Sequence, residues 1–302
     1  MKHAALFLLV MILILSACSK ADSSLRIGII KPSIDHLPLS YALSKGWLDA
    51  GQYKCIPFSS GWEVQEALIA GRIDVAIIPF TYVWNAASKG YPIRTISFFE
   101  RETDAIVVQR EVHNPQQLNG KRIGLLKGST LDVLWQDYAA ENGIEAEEVY
   151  FRSPNEAISA LQKKELEAAV LYVPVVNKLV DKFNVLHWFG DTYGAHPCCD
   201  LAVNKQQIDN AKEKLLRQLY SNLEQAISQI DFQSKDMQLF IAQNYGTTDA
   251  ETIEALKHTV FKMGLQQSGI DFQARMAAIS IASKYLDKIP PISEVYWDTY
   301  AK

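Results

Sequence analysis

Few side chains in this 302-residue sequence are arranged to do covalent chemistry. Vicinal Cys198-Cys199 are the most reactive pair. Two adjacent thiols can join as a strained disulfide, ligate a soft metal, or sit as small buried groups at a strand start. The last is favoured here, and Cys55 reads the same way within a strand. His and Cys do not fall at zinc-finger or zinc-protease spacings, so no metal site is expected. Ser, His and Asp are present without a nucleophile-elbow spacing, so no catalytic set and no cofactor are expected. What remains are groups suited to non-covalent recognition. Ser33, Ser60, Thr81, Ser129, Thr130 and Ser153 stand at predicted strand ends, where helix starts offer N–H groups to an oxyanion. N-capping is the commoner role of such residues. Trp62, Phe80, Tyr82, Tyr172 and Tyr193 add aromatic surface for a planar ligand or an aliphatic chain. His36 and His196 are possible hydrogen-bonding partners, and Lys31 and Lys127 could draw in anions.

Those positions are set by a repeated unit. Arg26-Ile27-Gly28-Ile29-Ile30-Lys31-Pro32-Ser33 returns 96 residues later as Arg122-Ile123-Gly124-Leu125-Leu126-Lys127-Gly128-Ser129. Isoleucine becomes leucine at two positions and Pro32 becomes Gly128. Ala67-Leu68, Ile73-Asp74-Val75-Ala76 and Pro79 recur in order as Ala160-Leu161, Leu166-Glu167-Ala168-Ala169 and Pro174. Each unit reads as alternating strands and helices. In the first, strands are expected at 25–30, 53–58, 73–78 and 93–99, with helices at 38–48, 64–70 and 82–88. In the second, strands are expected at 122–126, 149–152, 168–172 and 185–189, with helices at 131–142, 154–163 and 175–183. This alternation predicts an α/β fold with two mostly parallel sheets, each flanked by helices. Apolar extended runs at 104–109 and 200–204 lie outside the repeat and are candidates for strands crossing between two lobes. The remainder is helical, with one amphipathic face from Ile208 to Ile230 and further helices at 237–245, 251–263 and 272–286. This tail is expected to brace the first lobe. Lobe 1 is thus 25–103 plus 205–302, and lobe 2 is 104–204. Ligands bind outside the carboxyl ends of such strands, which places the loops 31–38, 59–62, 79–82, 127–130, 152–155 and 172–174 around a shared cleft.

Composition adds exclusions. Apolar residues make up 48%, enough for a sizeable core, and a net charge of −4 without single-sign runs argues against a nucleic-acid partner. The N-terminus is separate from the fold: Met1-Lys2-His3 precedes an apolar run, Ala4 to Leu15, too short for a stable span. The following Leu15-Ser16-Ala17-Cys18 resembles the lipobox of bacterial lipoproteins. That resemblance implies a signal peptide at 1–17, lipidation of Cys18, a tether at 18–24, and a membrane-anchored protein facing the periplasm or the extracellular side.

A second resemblance covers most of the remaining chain. The segment His36-Leu37-Pro38-Leu39-Ser40-Tyr41-Ala42-Leu43-Ser44-Lys45-Gly46-Trp47-Leu48 is similar to the opening of the nitrate/sulfonate/taurine (NMT1/THI5-like) family of ABC-transporter substrate-binding proteins. Gly71-Arg72-Ile73-Asp74-Val75-Ala76, Leu118-Asn119-Gly120-Lys121-Arg122-Ile123-Gly124 with Gly128-Ser129, and Pro197-Cys198-Cys199 follow in that family's order. The resemblance implies a two-lobed type II periplasmic-binding fold with a C-terminal helical segment. It also implies a monomer that closes on a small solute and delivers it to an ABC permease, without turnover. The solute would be a nitrate-, sulfonate- or taurine-like anion, or the thiamine pyrimidine precursor. An enzyme on the same fold, akin to pyrimidine-precursor synthases or menaquinone-pathway enzymes, and a sensory lipoprotein without a permease are the alternatives.

Overall fold

The computed structural model describes residues 24–246 and 256–300. Cys18, the signal segment and most of the 18–24 tether lie outside the described residues. Eleven strands among the described residues make two sheets. They are β1 (Leu25–Ile30), β2 (Tyr53–Phe58), β3 (Val75–Pro79), β4 (Ile93–Arg101), β5 (Asp104–Val108), β6 (Arg122–Leu126), β7 (Glu147–Phe151), β8 (Ala168–Tyr172), β9 (Asn184–Trp188), β10 (Pro197–Asn204) and β11 (Val260–Phe261). The first sheet runs β11-β4-β10-β3-β1-β2 and the second β7-β6-β8-β5-β9.

The sequence repeat is a structural repeat. β1 pairs in parallel with β2 and β3, as β6 does with β7 and β8. Ile27 faces Val75 and Ile123 faces Ala168, at corresponding registers. The shared glycine has a packing reason. A Cβ on Gly28 would lie 2.4 Å from Ile73 Cδ1, and one on Gly124 would lie 2.7 Å from Leu166 Cδ1. The aliphatic residue that opens each third-strand turn fills the space a side chain would take.

Both segments outside the repeat are inserted strands. β5 runs antiparallel between β8 and β9, and β10 runs antiparallel between β3 and β4. The chain therefore enters the second sheet through Arg101–Asp104 and returns to the first before Pro197. The expected boundary at residue 204 comes too late, because all of Pro197–Asn204 is paired within the first sheet.

Helices cover both sheets. Leu215, Leu216, Leu219, Tyr220, Leu223 and Ala226 of helix Asn210–Gln229 pack on the first sheet with Leu39 and Ala42 of helix Leu37–Ser44. Asp74 anchors this helix by accepting from Lys212 at 2.8 Å and from Arg26 at 2.6 Å. Burial alone would raise the Asp74 pKa, but the two cations prevail and hold it below the ordinary range. Helix Gln267–Ala282 does more than brace the first lobe: it also packs on helix Thr130–Glu141 of the second, and Arg275 pairs with Asp137 at 2.9 Å.

Two expected helices differ. Residues 175–183 form successive turns, held by Val176 N–H to Tyr172 carbonyl and Leu179 N–H to Val176 carbonyl bonds. Val175, Val176, Leu179 and Phe183 are buried at helix-like spacing, but the β-branched run lacks a continuous helical ladder. In the expected helix 251–263, residues 251–255 lie outside the described residues, and Val260–Phe261 pair with Glu100 and Arg101 as β11. No helix among the described residues is long and apolar enough to cross a membrane.

Candidate functional site

A cavity of about 970 Å³ opens between the two sheets at the carboxyl ends of β1, β2, β3, β6, β7 and β8. Its volume suits a small organic molecule. The lobes touch across it. Tyr82 donates its hydroxyl to the Lys127 carbonyl at 3.2 Å, and Thr130 donates to the Cys198 carbonyl at 3.0 Å. Tyr82 fits because Gly61 has no side chain; a Cβ there would lie 2.4 Å from its ring. Gly128, at φ +70°, likewise leaves room for Tyr285, whose ring meets that of Tyr82 edge-on.

Of the residues expected around the ligand, Ser60, Trp62, Ser129, Thr130 and Tyr172 line this cavity. Five others do not. Ser33 accepts from the Asp35 N–H at 3.2 Å and caps the turn Ile34–His36. His36 Nε2 accepts from the Ile30 N–H at 2.7 Å, and burial lowers its pKa to about 4, so it pins the end of β1 as a neutral ring. Phe80 is core, edge-on to Phe272, and Thr81 is buried beside it. His196 is buried behind the cleft, with Nε2 3.4 Å from Asp104 Oδ2 and its ring against Phe272. Tyr193 lies outside as well, donating to Asp137 at 2.8 Å.

The helix starts facing the cleft are the decisive local feature. At three of them a carboxylate of this chain accepts from the N–H just before the N-cap. The Gly128 N–H donates to Asp132 at 2.7 Å, the Ser59 N–H to Glu63 at 2.9 Å, and the Arg152 N–H to Glu156 at 3.0 Å. Ser60 Oγ accepts from Glu63 N–H at 3.3 Å, and Ser153 and Glu156 form a capping box. Ser129 donates to the Leu126 carbonyl at 2.7 Å. Burial raises Asp132 to about 6, although the Gly128 N–H favours its charged form. Asp132, Glu63 and Glu156 thus put negative charge beside these helix starts, while the first helical N–H groups, those of Gly61, Trp62, Thr130 and Leu131, are not taken by them.

The floor is acidic and aromatic. Asp35 and Asp104 line it, both nearly fully buried. Asp35 Oδ2 accepts from the Cys199 thiol at 3.2 Å, while Oδ1 has no partner. Desolvation raises Asp35 to about 6 against the opposing bonds from Ser33 and Cys199. Tyr172 lies beside it, its hydroxyl held protonated by burial and by the Asp35 charge. Cations occur only towards the rim, as exposed Lys89, Lys127, Arg152 and Lys284. The Arg152 guanidinium has no side-chain partner among the described residues. Half-exposed Trp62 stands at the same rim.

Sequence reasoning missed Asp35, Asp104, Asn85 and Tyr285. Asp35 lies in a loop already expected at the cleft and Asp104 opens a crossing strand, so topology was the available signal. Asn85 and Tyr285 are joined by a bond of 2.7 Å from Asn85 Nδ2 to the Tyr285 carbonyl, a contact between segments 200 positions apart that no local pattern announces.

A family model described as NMT1/THI5 like matches residues 33–230. The fold is similar to that of the alkanesulfonate-binding protein SsuA of Xanthomonas axonopodis pv. citri, solved with MOPS. The TM-score is 0.81 and the identity 21%, covering 92% of this chain and 99% of that one. It is also similar to the periplasmic aliphatic sulphonate binding protein SsuA of Escherichia coli, with TM-score 0.76 and 18% identity, covering 91% of this chain and 97% of that one. A Brucella abortus protein named as a binding protein is 26% identical over 127 residues, which are 40% of this chain and 39% of that protein. The match spans about two fifths of the length of such curated relatives.

Proposed function

The chain belongs to the NMT1/THI5-like family, and on that basis we propose that it is the extracytoplasmic solute-binding component of an ABC importer, lipid-anchored through Cys18. A small solute enters between the lobes, and the lobes close over it for delivery to a permease. The fold supports this reading, since two sheets joined by two crossing strands can hinge about those strands.

The observation that carries the choice of solute is the acidic floor, with further carboxylates beside the helix starts above it. A sulfonate or nitrate would find Asp132, Glu63 and Glu156 close beside the helix starts, with Asp35 and Asp104 beneath it. Like charges at such distances in a desolvated site oppose binding. A planar nitrogen heterocycle bearing an amino group meets the opposite situation. Its donor pairs with the free Oδ1 of Asp35, its ring nitrogen accepts from Tyr172, and its face stacks on Trp62 or Tyr82. The aminopyrimidine class is therefore our reading of the cargo. The rim cations would receive an anionic substituent if the solute carries one.

A thermal-shift panel of aminopyrimidines, nitrate, taurine and alkanesulfonates tests this. A solute at 100 times its Kd should stabilise the chain by about 2.7 kcal/mol. Stabilisation by aminopyrimidines with no product formed is expected. Stabilisation by the anions alone would reverse the solute assignment, and turnover of any member would overturn the binding-protein reading.

A further inference from the structure

Vicinal Cys198 and Cys199 are not absorbed by solute capture. In a regular strand two successive side chains point to opposite faces. Here β10 carries register shifts against β4 on both sides of Cys199. Such irregularities let neighbouring side chains turn to one side. Both thiols, free and buried, consequently face the same space as the Glu100 carboxylate, and one donor atom from each of the three lies within 4.8 Å of the others. Glu100 sits opposite Cys199 on β4 and is fully buried. Neither oxygen of its carboxyl group has a hydrogen-bond partner among the described residues. A fully buried carboxylate with two idle oxygens beside two thiols is costly unless something binds it. Both thiols also line the floor of the cleft, so the cluster is reachable from solvent when the lobes part.

We propose that Glu100, Cys198 and Cys199 form a binding site for a thiophilic cation of the zinc class, with its open coordination position towards the cleft. Two thiolates and one carboxylate are a donor set for zinc, and zinc bonded to sulfur and oxygen spaces its ligands roughly 3.5–3.8 Å apart. The cluster needs a contraction of at most about 1.3 Å to reach that spacing. In the metal-free chain Cys199 Sγ donates to Asp35 at 3.2 Å and Cys198 Sγ to Asp104 at 3.5 Å, and both bonds break when the thiols ligate. Binding displaces the thiol protons to solvent as the metal–sulfur bonds form, with no redox change. The site does not depend on which solute the cleft takes.

The test is titration of the full, reduced chain with zinc and, separately, with cobalt(II), which reports thiolate ligation by charge-transfer absorption. One equivalent of zinc should bind with proton release, and cobalt should give the thiolate band and a tetrahedral visible spectrum. Cys198→Ser and Cys199→Ser should each abolish the band. Glu100→Gln should keep the band and weaken zinc by more than the roughly 10–100-fold typical of losing an outer partner. Cys55→Ser, elsewhere in β2, should change nothing. A cobalt spectrum without thiolate absorption, or zinc uptake indifferent to both Cys198→Ser and Cys199→Ser, overturns the proposal. So does finding Cys198 and Cys199 joined as a disulfide in chain purified without reductant. The aminopyrimidine assignment is read in a separate titration of metal-free chain, so one can fail without the other.

Discussion

Replacing Asp35 by Asn should change affinity and stability in opposite directions. The side chain is almost fully buried at the cleft floor, and its Oδ1 has no partner among the described residues. Folding therefore confines a carboxylate that the solute, rather than the chain, is positioned to satisfy. Burial lifts its pKa from 3.8 to about 6. The folded chain thus keeps this proton to higher pH than the unfolded chain does. The group's contribution to stability is complete below about 3.8 and is lost as pH rises through about 6. At about 1.4 kcal/mol per pKa unit, the ionised carboxylate costs the fold on the order of 3 kcal/mol at pH 8. Asn preserves the shape without the charge. Denaturant unfolding should find Asp35→Asn more stable than the parent at pH 8 by up to about 3 kcal/mol, with the advantage shrinking towards zero near pH 4. His36, lowered to about 4, shifts stability the other way, but it is common to both proteins and leaves the difference intact. Calorimetry should show the reverse for binding. Losing one charge-assisted hydrogen bond removes roughly 1.5–3 kcal/mol, or about 10- to 150-fold in Kd for an aminopyrimidine. If Asp35→Asn is destabilised equally at both pH values and binds normally, the reasoning about the cleft floor is wrong.

Trp62→Ala removes a half-exposed ring at the rim, so affinity should fall roughly 2- to 10-fold while the Tm stays within error, as stacking energies of about 0.5–1.5 kcal/mol imply. An unchanged Kd would place the heterocycle away from the rim. Tyr82→Phe deletes the hydroxyl that reaches the Lys127 carbonyl of the opposite lobe, weakening the closed arrangement by about 1 kcal/mol. Small-angle scattering of the solute-free variant should give a larger radius of gyration, and an identical curve would show that this bond does not hold the lobes. Cys18→Ala should move the protein from the membrane to the soluble fraction without altering its unfolding transition. Continued membrane retention would remove the lipid anchor from the account.

The sheets were legible because their signals are local and repeated. Gly28 and Gly124, with Ile73 and Leu166 filling the space over them, mark the same strand–turn junction in both halves. The crossing strands were legible by default, as apolar runs with no counterpart in the repeat. The segment 175–183 was not, because Val175, Val176, Leu179 and Phe183 are buried at helix-like spacing whether or not a helix forms. The loops around the cleft followed from strand polarity, which is why Ser60, Trp62, Ser129, Thr130 and Tyr172 line it. Which atoms in those loops remain free could not be read in the same way. Asp132, Glu63 and Glu156 each lie three or four residues beyond the N–H they occupy, a spacing equally typical of ordinary capping. Only the geometry shows that carboxylates stand beside all three helix starts at once, above the acidic floor on which our reading of the solute rests. Asp104 and His196 meet across 92 positions, beyond any sequence pattern.

The most direct measurement is calorimetric titration of the metal-free chain at pH 7 with an aminopyrimidine and, in parallel, with taurine and an alkanesulfonate. Saturable one-to-one binding of the aminopyrimidine, weakened about 10- to 150-fold in Asp35→Asn and insensitive to added sulfonate, is the predicted result. Saturable binding of the sulfonate or taurine, with no heat from the aminopyrimidine, would contradict it.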